Sequence, residues 1–286
     1  MPSLIDIRRR IRSVRNTQQI TKAMKMVSAA KLRRAQDRVI ASRPYAALLR
    51  TVLGNVAAAV AGDETEVRNP LLAHREEKRI LLALVTSDKG LAGAFNANLN
   101  KGAQRFIAEH PGVEIRMELL GRKGRDFFRK RGATIAGEYL NLAAKVPYPD
   151  LAAIAQKAVA LYCGEEIDAV YVIYNEFKSV MSQRLTVTRV LPVEMPVQEA
   201  PVDYIFENSP AQMLDALLPR YVELEFYRAQ LESAAAEHAA RMTAMEAATS
   251  NAGDMIDKLT LFMNRVRQAS ITKEIIEVVS GAASAE

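Results

Sequence analysis

The sequence predicts an α/β protein with two long helices, which pair as an antiparallel, left-handed coiled coil that has the α/β domain at its base. Two observations lead to this prediction. Apolar residues recur at alternating spacings of three and four near both ends of the chain, which is the pattern of a heptad seam. Between the two ends, the pattern changes to short apolar runs that alternate with helical segments, which is typical of a largely parallel sheet.

Residues 1–60 are predicted to form the first long helix. Ser3 is placed to cap its N-terminus, and Pro44 should bend or loosen the helix because proline has no backbone N–H to donate. The apolar stripe of this helix is expected to consist of Leu4, Ile7, Ile11, Val14, Ile20, Met24, Val27, Leu32, Ala35, Val39, Ala46, Leu49, Leu53, Val56 and Val60.

The first helix is strongly basic. Residues 1–60 contain three lysines and ten arginines against two aspartates, a net charge of +11, whereas the whole chain has a formal net charge of +6. The remaining residues therefore carry a net charge of −5, the difference between +6 and +11. A basic helix can bind nucleic acid, an acidic membrane surface or an acidic protein, and the charge alone leaves all three open.

Residues 61–209 are predicted to form a Rossmann-like α/β domain. Its first strand, at residues 79–86, is an almost continuous apolar run, as expected for a strand that is covered on both faces. Further strands are predicted at 113–120, 134–139, 168–174 and 185–193, and helices at 95–109, 123–131 and 151–164.

Residues 210–286 are predicted to form the second long helix. A helix of about 70 residues would be roughly 105 Å long, too long to be buried in one domain of this size, so it must pack against the first helix. Its seam extends from Leu214 to Val266, with polar residues in the slots at Arg228, His238 and Thr249. Four carboxylates are assigned to the solvated faces of this helix: Glu223, Glu225, Glu232 and Glu237.

The end of the second helix extends beyond the first by about ten residues, or some 15 Å. Apolar side chains continue through this overhang from Ile271 to Ala282. A large exposed apolar surface is a mark of a protein interface. We therefore expect the tip to be enclosed by another protein.

No pattern in the chain predicts an active site. Ser87–Gly93 follows a buried strand, where phosphate-binding loops occur, but it matches neither GxxxxGK[ST] nor GxGxxG, so an ordinary strand-to-helix turn is favoured. The basic stretch Gly121–Arg125 is interpreted as a solvated or partner-facing loop. One cysteine, Cys163, and three scattered histidines make a metal site unexpected, and no cofactor is predicted. No apolar run reaches the roughly 18 residues needed to span a membrane.

Two terminal motifs carry a family resemblance. ITKAMKMV at residues 20–27 is followed by SAAKLRRAQ, and RQASITKEIIEVVSGAAS occupies residues 267–284. With TSDKGLAGAFN and SRPYA between them, these strings resemble the gamma subunit of F-type ATP synthases over essentially the whole chain.

The resemblance implies a central rotor stalk without an active site of its own. Such a subunit couples proton-driven rotation of a ring of c subunits to sequential conformational change, and so to ATP synthesis or hydrolysis, in the beta subunits. The implied partners are the alpha and beta subunits, the epsilon subunit and the c ring. Nucleic acid is not an implied partner, and membrane contact is made only through the c ring. The implied location is the cytoplasmic face of a bacterial inner membrane, with the mitochondrial matrix side as the alternative.

The resemblance also assigns residues to these contacts, position by position along the motifs. Contacts with beta are implied for Met24, Lys25, Arg241, Arg267, Gln268 and Thr272. The bearing tip is implied to comprise Ile271, Ile275, Ile276, Val278, Val279 and Ala282. Tyr204 and Glu207 are implied to face the c ring.

Overall fold

A computed structural model describes residues 3–61, 69–142, 146–195 and 209–283. The chain divides into two compact units, one built from Met1–Ser28 with Arg241–Glu286 and the other from Ala29–Ala240. No helix among the described residues has the length and apolar character needed to cross a membrane. The division into domains at residues 1–60, 61–209 and 210–286 stays a prediction.

The described residues form helices and strands in the order that the sequence predicts. The helices are α1 (Leu4–Ala61), α2 (Phe95–Glu109), α3 (Arg122–Arg129), α4 (Tyr148–Cys163) and α5 (Pro210–Ala283), with a short 3-10 turn at Pro70–Leu72. The strands are β1 (Arg79–Val85), β2 (Glu114–Leu120), β3 (Ile135–Tyr139), β4 (Ala169–Phe177) and β5 (Gln183–Leu191). The largest shift in a helix start is at α4, which begins three residues earlier than expected because prolines are favourable in a first helical turn.

In the first unit, α1 and α5 pair in antiparallel orientation. Lys25 lies opposite Glu246, Thr21 lies opposite Thr249, and a Cβ added at Gly253 would lie 3.2 Å from Gln18 Nε2. Residue numbers therefore fall along α5 as they rise along α1. Ser3 caps α1 as predicted, since its Oγ accepts a hydrogen bond from Ile5 N.

The predicted apolar stripe of α1 is wrong in one stretch. Ile20 and Val27 are 60% and 56% exposed, whereas Thr21 and Ser28 are 8% and 3% exposed. Counting in sevens from the buried Ile7 gives positions 14, 21 and 28, so the seam passes through the two hydroxyl residues. The neighbouring aliphatic residues concealed this register in the sequence.

In the second unit, the five described strands form one sheet in the order β3-β2-β1-β4-β5. The β1–β2, β1–β4 and β2–β3 pairs are parallel, and β4–β5 is antiparallel. Every residue of β1 after Arg79 is buried, which agrees with the continuous apolar run. The core on one face of the sheet combines strand residues with α2 and α3, and Ala236 of α5 belongs to the same core cluster.

The second unit buries α5 much more completely than its sequence predicts. From Val222 to Glu237, all residues except Tyr227 and Arg228 are buried. The assignment of four carboxylates to solvated faces is therefore wrong, because Glu223, Glu225, Glu232 and Glu237 are between 5% and 9% exposed. Other elements of this unit contact the helix on several sides and supply hydrogen-bond donors to the acidic side chains.

Candidate functional site

The helix pair of the first unit carries a polar groove close to the predicted beta contacts. Lys25 Nζ lies 2.6 Å from Glu246 Oε1, and the Oγ1 atoms of Thr21 and Thr249 lie 2.7 Å apart. A groove of about 610 Å³ is lined by Gln18, Gln19, Lys22, Lys25, Glu246, Thr249, Ser250 and Gly253. Because both helices contribute polar side chains, this part of the pair presents hydrogen-bonding groups rather than an apolar surface.

The other residues implied to contact beta differ in exposure. Met24 is half-buried. Arg241 is only 8% exposed, so the described part of the chain covers most of its side chain. Arg267, Gln268 and Thr272 are exposed, and Thr272 Oγ1 donates to the backbone oxygen of Gln268. The structure thus presents three of these side chains openly near the C-terminus.

The C-terminal part of α5 is an exposed apolar surface. If the observed pairing is continued along both helices, Leu4 lies opposite residue ~267, so the last roughly 16 residues of α5 extend past the start of α1. Ala282 lies in the last turn of the helix. Exposed fractions of 48% to 73% are found for Ile271, Ile275, Ile276, Val278 and Val279.

The implied c-ring contacts, Tyr204 and Glu207, lie outside the described residues.

The loop from Ser87 to Gly93 is held by its own hydrogen bonds. Ser87 is fully buried, and its Oγ lies 2.6 Å from Lys89 O and within 3.0 Å of the Asn96 side chain. Leu91 and Gly93 both have positive φ angles, 64° and 55°, which turn the chain sharply into α2. The hydroxyl of Ser87 is therefore engaged in shaping the turn, as the ordinary-turn interpretation predicts.

Thr86 and the loop that follows it satisfy the N-terminus of α3. Gly124 N donates to Thr86 Oγ1 at 2.9 Å, and Arg122 N donates to Asp88 Oδ1 at 3.1 Å. Gly121 has a φ of 109°, and a Cβ there would lie 2.2 Å from Thr86 O. These contacts occupy the backbone donors that a helix N-terminus would otherwise offer to an anion.

Helix α5 occupies the place where a ligand binds in many open α/β sheets. That place lies at the carboxyl ends of the two strands between which the strand order reverses, here β1 and β4. Ser233 Oγ lies 3.4 Å from Val85 O, and Glu232 Oε2 accepts a hydrogen bond from Phe177 N at 3.2 Å. The protein's own helix thus contacts the ends of both strands.

Sequence reasoning missed the polar contacts that fix α5 within the second unit. Glu223 accepts hydrogen bonds from Tyr148 Oη at 2.8 Å and from Gln156 Nε2 at 2.7 Å, both on α4. Burial, reinforced by the hydrogen bond to Glu223, raises the pKa of Tyr148 to about 12. Glu225 pairs with Arg50 of α1 at 2.9 Å. Nothing local in the sequence could have indicated these pairs, because each joins residues far apart in the chain.

The described residues contain no group of three or more histidine, cysteine, aspartate or glutamate side chains that could hold a metal ion. The features described so far are the helix pairing, the exposed apolar end of α5, and the contacts of α5 with the carboxyl ends of β1 and β4. It defines a class of protein in which two long terminal helices flank a central parallel-dominated sheet.

A family model described as ATP synthase matches residues 3–285. The ATP synthase gamma chain of Solibacter usitatus is 74% identical over 286 residues, which is the whole of both chains. The chain therefore belongs to the ATP synthase gamma chain family, and the family named by the sequence motifs is confirmed.

Solved structures share the fold of this chain. A chain from the central stalk and c ring of the Tetrahymena thermophila mitochondrial ATP synthase is 26% identical, with a TM-score of 0.62 over 80% of this chain and 99% of that one. A chain from the Euglena gracilis mitochondrial enzyme is 19% identical, with a TM-score of 0.70 over 98% of this chain and 94% of that one. The predicted fold class, an α/β sheet with long terminal helices, is confirmed.

Proposed function

We propose that this chain is the central rotor stalk of an F-type ATP synthase. It couples proton-driven rotation of the c ring to sequential conformational change in the beta subunits, and it works in the direction of either ATP synthesis or hydrolysis. The observation that carries this proposal is the C-terminal part of α5, which continues past the start of α1 with aliphatic side chains up to 73% exposed. A helix end of this kind suits a bearing inside a sleeve of other subunits, since aliphatic contacts have no preferred angle.

The basic surface of α1 supports an acidic protein partner. Its first turns expose Arg8, Arg9, Arg10, Arg12 and Arg15. In this proposal, α1 and the polar groove meet acidic segments of the beta subunits. The contacts are made by Met24, Lys25, Arg241, Arg267, Gln268 and Thr272.

The subunit has no active site of its own in this proposal, and the nucleotide sites belong to the beta subunits. Support comes from the carboxyl ends of β1 and β4, which α5 contacts. In addition, the hydroxyl of Ser87 is hydrogen-bonded within its own loop. A nucleotide would have to displace these contacts. The asymmetry needed to distinguish three otherwise identical beta subunits comes instead from the unequal helices.

We assign the remaining partners and the location on the same basis. Residues 61–209 form the foot, and Tyr204 and Glu207 meet the c ring, which supplies the only contact with the membrane. The alpha and epsilon subunits complete the set of partners. The bacterial relative, with 74% identity over the whole chain, favours the cytoplasmic face of a bacterial inner membrane over the mitochondrial matrix side.

The proposal is tested by reconstituting the complete ATP synthase of the source organism with and without this chain, and measuring ATP-driven proton pumping into vesicles. Pumping should require the chain. Replacing Ile271, Ile275 and Ile276 by serine should lower pumping several-fold, while K273Q, a change of an exposed polar residue in the same turn, should leave it near the wild-type level. Full pumping without the chain would overturn the proposal.

A further inference from the structure

Helix α5 carries a line of charged side chains that joins it to two other elements of the second unit. Arg50 Nη2 of α1 lies 2.9 Å from Glu225 Oε1, and Arg228 Nη1 lies 3.6 Å from Glu225 Oε2. Arg228 Nε lies 3.5 Å from Glu232 Oε1, while Glu232 Oε2 accepts the backbone N–H of Phe177 on β4. We call Arg50, Glu225, Arg228 and Glu232 the ion-pair line.

Three members of the ion-pair line are largely withdrawn from water, whereas Arg50 at its end is 46% exposed. The side chains of Glu225 and Glu232 are 8% and 9% exposed, and that of Arg228 is 30% exposed. Moving such charges out of water costs free energy that their mutual attraction often only offsets, and apolar side chains of similar volume often stabilise a fold as well as a buried ion pair does. The contribution specific to these charges is direction, because the bonds from Arg50 of α1 to Glu225 and from Phe177 N of β4 to Glu232 each require one orientation of the helix. Arg228 lies on α5 itself and holds the two carboxylates in place.

The stretch of α5 that follows the ion-pair line packs through small side chains, whereas Phe226 and Leu231 within the line are bulky and each 1% exposed. The buried positions between Arg228 and Ala240 are mostly small, among them Ala229, Ser233, Ala234, Ala235, Ala236 and Ala239. Small side chains form shallow ridges, which interlock weakly with neighbouring elements. Directional contacts at Glu225 and Glu232 therefore add to the packing of Phe226 and Leu231 and to the bonds of Glu223 in holding the helix at one angle.

We infer that the ion-pair line is a rotational lock, which fixes the angle of α5 against α1 and β4 so that torque passes between the sheet domain and the helix without slippage. Arg228 is a positioning residue in this lock, since it contacts both glutamates. The inference rests on the proposed rotor function. It adds to that function the specific contacts that transmit torque between the sheet domain and α5.

The test uses the reconstituted complex and the triple variant E225Q/R228M/E232Q. This variant removes the three charges on α5 and leaves Arg50 in place, while it keeps side-chain volume and an acceptor for Phe177 N–H. ATP hydrolysis and proton pumping are measured together while the opposing proton gradient is raised. We expect ATPase activity within about twofold of wild type, and a ratio of protons pumped to ATP hydrolysed that falls at least about twofold under high gradient. If the ion-pair line only stabilised the fold, the triple variant would assemble less well and unfold at a lower temperature. The ratio of protons pumped to ATP hydrolysed would then not depend on the opposing proton gradient.

Two further variants keep the test decisive. R228K retains a charge between the glutamates and should behave like wild type. R220M changes an exposed arginine of the same helix and should also have no effect.

If the triple variant does not assemble, E232Q alone is measured in the same way and should show a smaller fall in the ratio under a high opposing gradient. A ratio equal to wild type at every gradient overturns the inference. Failure of the wild-type chain itself to support pumping would instead overturn the proposed function.

Discussion

The hydroxyl oxygens of Thr21 and Thr249 lie 2.7 Å apart across the helix pair of the first unit. Thr249 Oγ1 is also 2.7 Å from Met245 O, within reach to donate to that backbone oxygen. Thr21 Oγ1 lies 3.0 Å from Gln18 O, so each hydroxyl has a backbone acceptor within reach but only one proton to donate. The shorter contact, to Met245 O, favours the assignment in which Thr249 donates to Met245 O and accepts from Thr21. A polar pair in a heptad seam fixes the register of the two helices at some cost in stability.

This assignment predicts a measurable coupling between the two threonines. T21V and T249V should each destabilise the chain by about 0.5–1 kcal/mol, and the double variant should cost less than the sum of the two, since no hydroxyl is then left without its partner. The free energy of unfolding is measured by urea denaturation of the full chain. Strict additivity of the two effects would contradict a direct hydrogen bond.

Lys25 and Glu246 should contribute much less than their 2.6 Å separation suggests. The side chains are 38% and 61% exposed, and solvent-exposed ion pairs typically contribute about 0–1 kcal/mol. E246Q should therefore change the free energy of unfolding by less than about 0.5 kcal/mol, and 1 M salt should remove most of any effect. A loss several times larger, persisting in high salt, would show that the pair is shielded from solvent.

Gly121 should be among the least replaceable residues of the sheet domain. G121A would combine a φ of 109° with a Cβ 2.2 Å from Thr86 O, and we expect a loss of at least about 3 kcal/mol. G112A is the matched control, because Gly112 has a φ of 84° and nothing lies within 4 Å of its added Cβ, so only backbone strain of about 1–2 kcal/mol applies. Equal losses in urea denaturation would show that the close approach to Thr86 is not the cause.

The free energy of unfolding should fall at alkaline pH because Tyr148 and Tyr171 ionise. Burial, reinforced by hydrogen bonds to Glu223 and Glu77 respectively, raises the pKa of each from 10.0 to about 12. A raised pKa means that the folded state retains the proton more tightly, so this contribution is complete below pH 10 and is lost as the pH rises towards 12. The decline in the urea midpoint between pH 9 and 11 should be shallower in Y148F/Y171F than in wild type. Parallel declines would contradict these raised pKa values.

The arrangement of helices and strands was predictable because hydrophobic periodicity acts locally. The heptads marked α1 and α5, and the apolar run at 79–86 marked β1. The register at Thr21 was missed because Ile20, beside it, is the more apolar residue, although a strict count of sevens from Ile7 would have found it. The role of Glu225 was missed for a different reason. Its partner Arg50 is 175 residues away, and the sequence shows no pairing at that distance.

The contacts assigned to beta and to the c ring depended on motif position alone. Periodicity could show that the tip from Ile271 onward lacks a helix partner, but the identity of its sleeve came from the family resemblance. The contact between α5 and the carboxyl end of β1 could not be predicted from the sequence either. Ser233, which makes this contact, adjoins a run of alanines that is typical of any helix.

Direct observation of rotation tests the central claim. Cys163 is the single cysteine of the chain and is exposed, so it can carry a bead without an engineered handle. The complete complex is fixed to a surface through its beta subunits, and the bead is followed during ATP hydrolysis. A rotor stalk predicts rotation in one direction, with three preferred angles per turn that correspond to three beta subunits. A bead that stays at one angle while ATP is consumed would contradict the account.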